Sequence, residues 1–354
     1  MKERILSGVA NRQLLERGFF GSMLNQGRHT VENGTDSTSD SEIVPAAISD
    51  TGCERELNED RYAVVDCSSG VAWVVCDGMG GNTGGELAAQ LAIDAMRREL
   101  TNQLEYRPPE IALKACIFEA NRVIVLRRQN PAFAGMGTTV VAAMIAEHEV
   151  CVGHVGDSRA YLIRGDAIQQ LTTDHTYVQE LVERGQISEH EALDHPQAHI
   201  LTRCLGSEPG IEVTFKKFYL WPTPPDENQD FMFLCSDGLY SLVTDQEIVR
   251  YVKTRSPQRA CIDLVDLARE RGGYDNITMA VVPLEGQLRN EAPQVIPRPT
   301  KKGKANSAKR APAARERKRS TAGPSFIMTF MYIFLLSIIA ASGSAAYFLW
   351  GVAR

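Results

Sequence analysis

Two uninterrupted apolar runs dominate the pattern along the chain, residues 71–76 (VAWVVC) and residues 231–235 (FMFLC). A short run of this kind, bounded by turn residues and rich in β-branched and aromatic side chains, is typical of a buried β-strand. Residues 62–66 form a further β-rich run, and the segment 68–70 between it and the first apolar run has the composition of a hairpin turn. The sequence therefore predicts buried strands that end in polar or glycine-rich turns.

The other patterned segments mix strands and helices without a regular repeat. Further strands are predicted at 138–146, 150–155, 160–164, 167–171, 230–235 and 276–282. Apolar positions three or four residues apart predict helices at 84–100, 110–128, 176–184, 188–192, 245–253 and 257–271. Because helices lie between β-hairpins without regular β-α-β alternation, we expect an α+β fold and not a doubly wound sheet.

Beyond Pro283 the chain turns polar, then basic, then apolar. Residues 326–350 contain no charged side chain. As a helix they would extend about 37 Å, more than the hydrocarbon core of about 30 Å. We therefore expect a transmembrane helix at 324–351 after a polar and basic linker at 285–323. Residues 1–45 are polar enough to predict a disordered leader, which leaves 46–284 as the main folded domain.

The charge is distributed very unevenly. Residues 298–319 carry ten Lys or Arg and one acid, whereas residues 1–297 hold 27 basic and 43 acidic residues, a net charge of −16. A body this acidic is a poor partner for nucleic acid. The basic block could itself tether nucleic acid, but its position directly before the apolar segment favours a positive-inside signal. That signal predicts a single-pass membrane protein whose main domain faces the cytoplasm.

The eight cysteines occur singly, with no CxxC pair. Zinc-finger spacing is therefore absent, and a disulfide framework is unusual in a chain of this length. Most of the cysteines lie in apolar runs, as Cys76 and Cys235 do, which favours buried thiols in a reducing compartment. The N-terminus lacks a continuous apolar stretch, so we expect no cleavable signal peptide.

Four acidic segments share one setting, at a strand end or in a glycine-rich turn: NED, DGMGG, SDGL and YDN. Asp77 directly follows the first apolar run, and Asp237 follows the second run after one intervening residue. Clustered carboxylates repel one another, and a divalent cation is the usual remedy. All-oxygen ligand sets favour Mg²⁺, Mn²⁺ or Ca²⁺ over zinc. Any one Asp-Gly pair is also a common turn, so the combination carries the argument.

In combination the motifs are specific. The order GCERELNED, DGMGG, GMGTT, GDSRAYL, LTTDH, CSDGL and GGYDNIT resembles the metal-dependent protein serine/threonine phosphatases of type 2C, most of all their compact bacterial members. The resemblance covers residues 46–284, about two thirds of the chain. It implies a sandwich of two antiparallel β-sheets flanked by helices, with a binuclear Mn²⁺ or Mg²⁺ centre at one end.

The resemblance also implies metal ligands, residue by residue. Asp77 would bridge both ions. Asp237 and Asp275 would complete the ligands of one ion. Glu59 and the Gly78 carbonyl would bind the other ion. Because of these implied metal-binding roles, Asp77 and Asp237 are also predicted to be catalytic residues.

Three further positions carry implied roles. Asp157, in GDSR, matches a position associated with a third, weaker ion. Arg55 matches the catalytic arginine that binds the substrate phosphate, for which a guanidinium fork is well suited. His175 lies in residues 172–206, which resemble a mobile flap, and is a candidate for substrate contact. One departure is Asn82, because several family members carry a His in or just after the DGxGG turn and an Asn cannot donate a proton in acid catalysis.

The predicted function is Mn²⁺- or Mg²⁺-dependent hydrolysis of phosphoserine and phosphothreonine in proteins, opposing Ser/Thr kinases. The alternative is a catalytically silent pseudophosphatase that acts as a membrane-tethered binding or regulatory module. The intact acidic positions disfavour this alternative: Glu59, Asp77, Asp237 and Asp275. Expected partners are phosphorylated proteins, Ser/Thr kinases and, through the C-terminal helix, a membrane, but no nucleic acid.

Overall fold

The computed structural model describes residues 43–80, 84–193, 195–223 and 229–291. The strands in these ranges are β1 (Ala46–Asp50), β2 (Arg61–Cys67), β3 (Gly70–Cys76), β4 (Gly78–Met79), β5 (Gly137–Thr138), β6 (Val140–Ile145), β7 (Glu149–Val155), β8 (Arg159–Arg164), β9 (Ala167–Gln170), β10 (Thr214–Trp221), β11 (Phe231–Cys235), β12 (Ile277–Pro283) and β13 (Gln287–Arg289). The α-helices are α1 (Gly84–Thr101), α2 (Pro109–Arg127), α3 (Tyr177–Glu183), α4 (Glu189–Leu193), α5 (Asp237–Tyr240), α6 (Asp245–Thr254) and α7 (Pro257–Glu270).

The strands form two large sheets and one small one. The five-stranded sheet has the order β1-β12-β11-β8-β9, and the six-stranded sheet has the order β13-β10-β7-β6-β3-β2. Strands β4 and β5 form the two-stranded sheet. All neighbouring strands are antiparallel. The predicted α+β sandwich of two antiparallel sheets is therefore confirmed.

The described residues form four layers, in the order helices, sheet, sheet, helices, and three clusters of buried apolar residues lie between them. Helices α1 and α2 cover the outer face of the six-stranded sheet, with Met96 and Leu113 among the buried residues. Helices α6 and α7 cover the five-stranded sheet, where Ile248 and Leu264 are buried. The third cluster lies between the sheets and includes Met232. Each sheet is thus covered on both faces.

This double coverage explains the two apolar runs. In β3, Val74 packs toward the helices while Trp73 packs toward the other sheet. In β11, Leu234 faces the sheet interface and Phe233 faces α6 and α7. Successive strand residues point to opposite faces, so a strand covered on both sides needs apolar residues at every position. Burial of each large side chain contributes about 1.5–3 kcal/mol.

Local signals set the starts of several helices. Thr244 and Glu247 form a capping box at the start of α6. Ser256 accepts a hydrogen bond from the first turn of α7, and Pro257 occupies the first helical position. Such caps satisfy backbone N–H groups that have no partner within the helix. The predicted helices therefore begin within one or two residues of their observed starts.

The six-stranded sheet contains two strands that were not predicted, β10 and β13. In β10 the exposed Lys216 and Lys217 interrupt the apolar pattern. Strand β13 pairs with β10 and buries Leu288. The sheet therefore extends past the predicted domain end at residue 284 and includes the first part of the predicted linker, 285–323.

The remaining predictions about the chain ends concern residues that the structure does not describe. Within the described ranges, no helix combines the length and the apolar character needed to cross a membrane. The predicted transmembrane helix at 324–351, most of the linker and residues 1–42 of the leader lie outside the described residues, as does Asn82. These expectations stay predictions.

Candidate metal centre

Antiparallel pairing brings the acidic segments to one end of the sandwich. In the six-stranded sheet, β2 begins where β3 ends, which places Glu59 beside Asp77. In the five-stranded sheet, β12 begins where β11 ends, which places Asp275 beside Asp237. Strand β8 also begins at the end of β11, and the turn before it carries Asp157. Five acidic positions that are distant in sequence therefore share one edge.

Asp77 follows a strand of one large sheet and Asp237 follows a strand of the other, and the negative charge of Asp237 acts on the Asp77 carboxyl. Burial raises the pKa of both groups, and the negative charges of neighbouring acids, including Asp275, raise it further. The Oδ1 atom of Asp237 is buried and has no hydrogen-bond partner. A cation bound beside this pair would therefore relieve repulsion between the acids.

The GMGTT segment fixes the backbone of Asp77. The Asp77 N–H donates to Thr139 Oγ1 at 2.9 Å, and Thr138 Oγ1 donates to the Asp77 carbonyl at 2.8 Å. The hydroxyls of Thr139 and Ser158 lie 2.7 Å apart, which connects this segment to the turn that carries Asp157. The two threonines thus position the acidic loops and do not need to contact a substrate.

The glycines after the two central aspartates allow close packing. A Cβ atom on Gly78 would lie 2.2 Å from the Gly85 carbonyl oxygen and 2.6 Å from the Glu59 carbonyl oxygen. A Cβ atom on Gly238 would lie 2.1 Å from the carbonyl oxygen of Asn276. Real Cβ atoms do not approach oxygen so closely, so only glycine brings these acidic segments into contact.

Arg55 lies at the open rim of this cluster. Its Nη2 donates to Asp275 Oδ2 at 2.8 Å, and its Nη1 lies 4.0 Å from Glu59 Oε2. The Arg55 side chain is 47% exposed. The guanidinium therefore remains accessible from solvent while it contacts two of the predicted metal ligands.

Asp157 lies deeper at the same end. Tyr240 Oη donates to the Asp157 carbonyl at 3.1 Å. Burial, together with the charge of Asp237, raises the pKa of the Asp157 carboxyl to about 8. Asp157 therefore belongs electrostatically to the acidic cluster, as its predicted link to a third ion requires.

The predicted substrate contact by His175 does not agree with its surroundings. The side chain is buried, its Nδ1 accepts a hydrogen bond from the Gly156 N–H at 3.2 Å, and its Nε2 lies 3.0 Å from Thr214 Oγ1. The ring stacks on His154, with centroids 4.6 Å apart. Burial and the charges of His154 and Arg203 lower its pKa to about 3. Both nitrogens are occupied inside the protein, so His175 connects the flap segment to the turn before Asp157 instead of facing a substrate.

Known proteins similar to this chain show its family. The family model described as Protein phosphatase 2C matches residues 54–260, more than half of the chain. The chain belongs to the protein phosphatase 2C family. It is 38% identical over 240 residues to the serine/threonine phosphatase stp of Listeria innocua, a match that covers 66% of this chain and 92% of that protein.

Solved structures of other phosphatases agree with this assignment. Stp1 from Staphylococcus aureus superposes with a TM-score of 0.63 at 32% identity, covering 72% of this chain and all of that one. The catalytic domain of PstP in complex with two manganese ions has a TM-score of 0.59 at 32% identity, covering 68% of this chain and 97% of that one. This phosphatase is therefore a metal-dependent enzyme that hydrolyses phosphoserine and phosphothreonine in proteins, with Mn²⁺ or Mg²⁺ as cofactor.

The donor set of this phosphatase fits such ions. Carboxylates and a backbone carbonyl are the oxygen ligands that Mg²⁺ and Mn²⁺ prefer, and the unpartnered oxygen of Asp237 provides a free acceptor. Among the residues that the structure describes, no three or more His, Cys, Asp or Glu side chains already form a group that could hold a metal ion.

Two residues of the phosphatase site were not predicted. Asp60 is buried, accepts a hydrogen bond from Ser236 Oγ at 2.7 Å, and has its pKa raised to about 7 by burial. Asn276 joins two of the acidic segments through its side chain. Their positions beside Glu59 and Asp275 were visible in the sequence, but nothing there distinguished them from ordinary turn residues.

Proposed function

We propose that Asp77 bridges two Mn²⁺ or Mg²⁺ ions in this phosphatase. Asp237 and Asp275 complete the ligands of one ion. Glu59 and the Gly78 carbonyl complete those of the other. The observation that carries this assignment is the pair of acids, Asp77 and Asp237, that the strand ends bring to one end of the sandwich, with the buried Asp237 Oδ1 left without a hydrogen-bond partner. Such a pair is costly to bury without a compensating cation.

When bound, the ions would supply charge neutralisation for the phosphate dianion and would lower the pKa of a water molecule. Arg55 binds the phosphate at the rim, where its guanidinium can donate two parallel hydrogen bonds to phosphate oxygens. To do so it exchanges the carboxylate of Asp275, its present acceptor, for the substrate. This exchange frees Asp275 to turn toward an ion. Asp157 is proposed to associate with a third, weaker ion.

The test is a phosphatase assay of the full-length protein on a phosphothreonine peptide with Mn²⁺, Mg²⁺, Ca²⁺ or EDTA. Wild type should be active with Mn²⁺ and inactive with EDTA. Asp77→Asn and Asp237→Asn should each remove activity at low Mn²⁺ without lowering the unfolding temperature, because each substitution relieves repulsion. Asp166→Asn is the control, since Asp166 is an exposed turn residue paired with Lys253. Near-normal turnover by both site variants at low Mn²⁺ would remove them from the metal centre.

We also propose a membrane setting for the enzyme. The support is in the sequence: residues 326–350 are uncharged, and the basic block 298–319 precedes them. This arrangement favours a single span with the catalytic domain in the cytoplasm. The intervening polar segment would act as a flexible tether that lets the phosphatase reach phosphoproteins and Ser/Thr kinases at the membrane.

Cell fractionation tests this setting. The full-length protein should sediment with membranes and remain there in high salt, whereas detergent should release it. Release by salt alone would leave only an electrostatic attachment through the basic block and would contradict the span.

A further inference from the structure

One buried carboxamide connects two parts of the site. The Asn276 side chain is 3% exposed. Its Oδ1 accepts a hydrogen bond from the Glu59 N–H at 2.8 Å. Its Nδ2 donates to the carbonyl oxygens of Thr51 at 2.9 Å and Leu57 at 3.0 Å. The loop between β1 and β2 is thus bonded at three points to the residue that immediately precedes β12.

The loop held in this way carries both Arg55 and Glu59, and the residue next to the carboxamide is Asp275. The Asn276 N–H donates to Asp275 Oδ1 at 2.8 Å. The loop also has a backbone bond to the same region, from the Cys53 N–H to the Gly273 carbonyl at 2.7 Å. The Asn276 side chain therefore helps to set the distance of Arg55 and Glu59 from Asp275.

Few other side chains could make this connection. The position requires one acceptor for an N–H group and two donors for carbonyl groups, which a carboxamide supplies. An aspartate would keep the acceptor and lose both donors, and a serine is shorter and has a single donor. Loss of the carboxamide would leave three partly buried backbone groups without these partners, which favours rearrangement of the loop.

We propose that Asn276 is a positioning residue, which holds Arg55 and Glu59 in register with Asp275 for phosphate and metal binding. The inference rests on the proposed roles of those three residues. A displacement of about 1 Å in a catalytic group can cost about 100-fold in rate. Asn276→Ala should therefore raise both the Mn²⁺ concentration for half-maximal activity and the KM for a phosphothreonine peptide, each by about 10- to 100-fold.

A matched control exists elsewhere in the protein. Asn121 is also buried; its Oδ1 accepts from the Gly206 N–H at 2.8 Å, and its Nδ2 donates to the carbonyls of Glu208 at 2.8 Å and Pro209 at 3.4 Å. This side chain holds a different loop with the same bonding pattern. Asn121→Ala should lower the unfolding temperature as Asn276→Ala does. It should leave the Mn²⁺ requirement and the KM within about twofold of wild type, because Asn121 makes no hydrogen bond to the loop that carries Arg55 and Glu59 and the two sites are independent.

The experiment uses the full-length protein and follows unfolding temperature, Mn²⁺ activation and peptide KM for both alanine variants. If Asn276→Ala does not fold, Asn276→Ser provides the same measurements with a smaller disruption. Arg55→Ala is then combined with the Asn276 variant. Because Asn276 acts partly through Arg55, the Asn276 substitution should raise KM less in this background than in wild type.

The outcomes separate the two proposals. A wild-type protein without Mn²⁺-dependent activity would overturn the proposed function itself. An active wild type in which the Asn276 variants behave like Asn121→Ala, with reduced stability and unchanged Mn²⁺ requirement and KM, would overturn only the positioning role. Equal effects of the Asn276 substitution on KM with and without Arg55 would overturn the action through Arg55.

Discussion

The Arg55→Ala substitution gives a direct test of substrate binding. Arg55 is the cation at the rim of the acidic cluster, and it donates to Asp275 at 2.8 Å. Its removal takes away the proposed phosphate ligand and also releases Asp275 from a competing cation. We therefore expect a lower kcat/KM toward phosphopeptide without a higher Mn²⁺ requirement. Loss of a metal ligand would raise that requirement.

The size of the effect follows from exposure. Hydrogen bonds to charged groups contribute about 1.5–3 kcal/mol each, but the Arg55 side chain is 47% exposed and solvent screens it. The bidentate pair should therefore contribute about 2–3 kcal/mol in total, a loss of about 30- to 150-fold in kcat/KM. Arg55→Lys keeps the charge without the planar fork, so it should lose about tenfold.

Initial rates on a phosphothreonine peptide at saturating Mn²⁺ give the measurement. Arg271→Ala is the control, because Arg271 donates to both oxygens of Glu247, at 2.6 and 2.8 Å, in a pair that is also partly exposed. The control should retain wild-type kcat/KM. If Arg55→Ala matched the control within twofold, Arg55 would not bind the phosphate.

Two further predictions concern stability. Gly238→Ala should lower the unfolding temperature by more than Gly210→Ala. A Cβ atom at position 238 would lie 2.1 Å from the Asn276 carbonyl oxygen, whereas a Cβ atom at position 210 would have no other atom within 4 Å. Equal midpoints of the two variants in thermal melts would contradict this. Hydrogen bonds from Arg271, and then from the cap at the start of α6, lower the pKa of Glu247 from 4.5 to about 2, so its contribution is present above about pH 4.5 and is lost as the pH falls toward 2. Glu247→Gln should thus melt about 2–4 °C below wild type at neutral pH, with a gap that closes in acid; a gap independent of pH would show that the charge is not responsible.

Much of the fold could be predicted because its signals are local. The apolar runs of β3 and β11 and the caps before α6 and α7 depend on neighbouring residues, so their elements were placed within a few positions. The order of the short acidic motifs was enough to indicate the family and its chemistry. Strands β10 and β13 were not predicted from the sequence, because they lie toward an edge of the sheet, where lysines are tolerated and the apolar pattern is interrupted.

The sequence by itself determined which residues are candidates for the chemistry, since carboxylates at strand ends and glycines after them are properties of the chain. Only the tertiary structure decided which of these residues meet. Asp77 and Asp237 are 160 positions apart, and they share one end of the sandwich because each follows a strand of a different sheet. His175 was expected to be a candidate for substrate contact, and its side chain is buried, because burial depends on what packs over a segment. The role of Asn276 likewise arises from backbone groups more than 200 residues away, which no local pattern encodes.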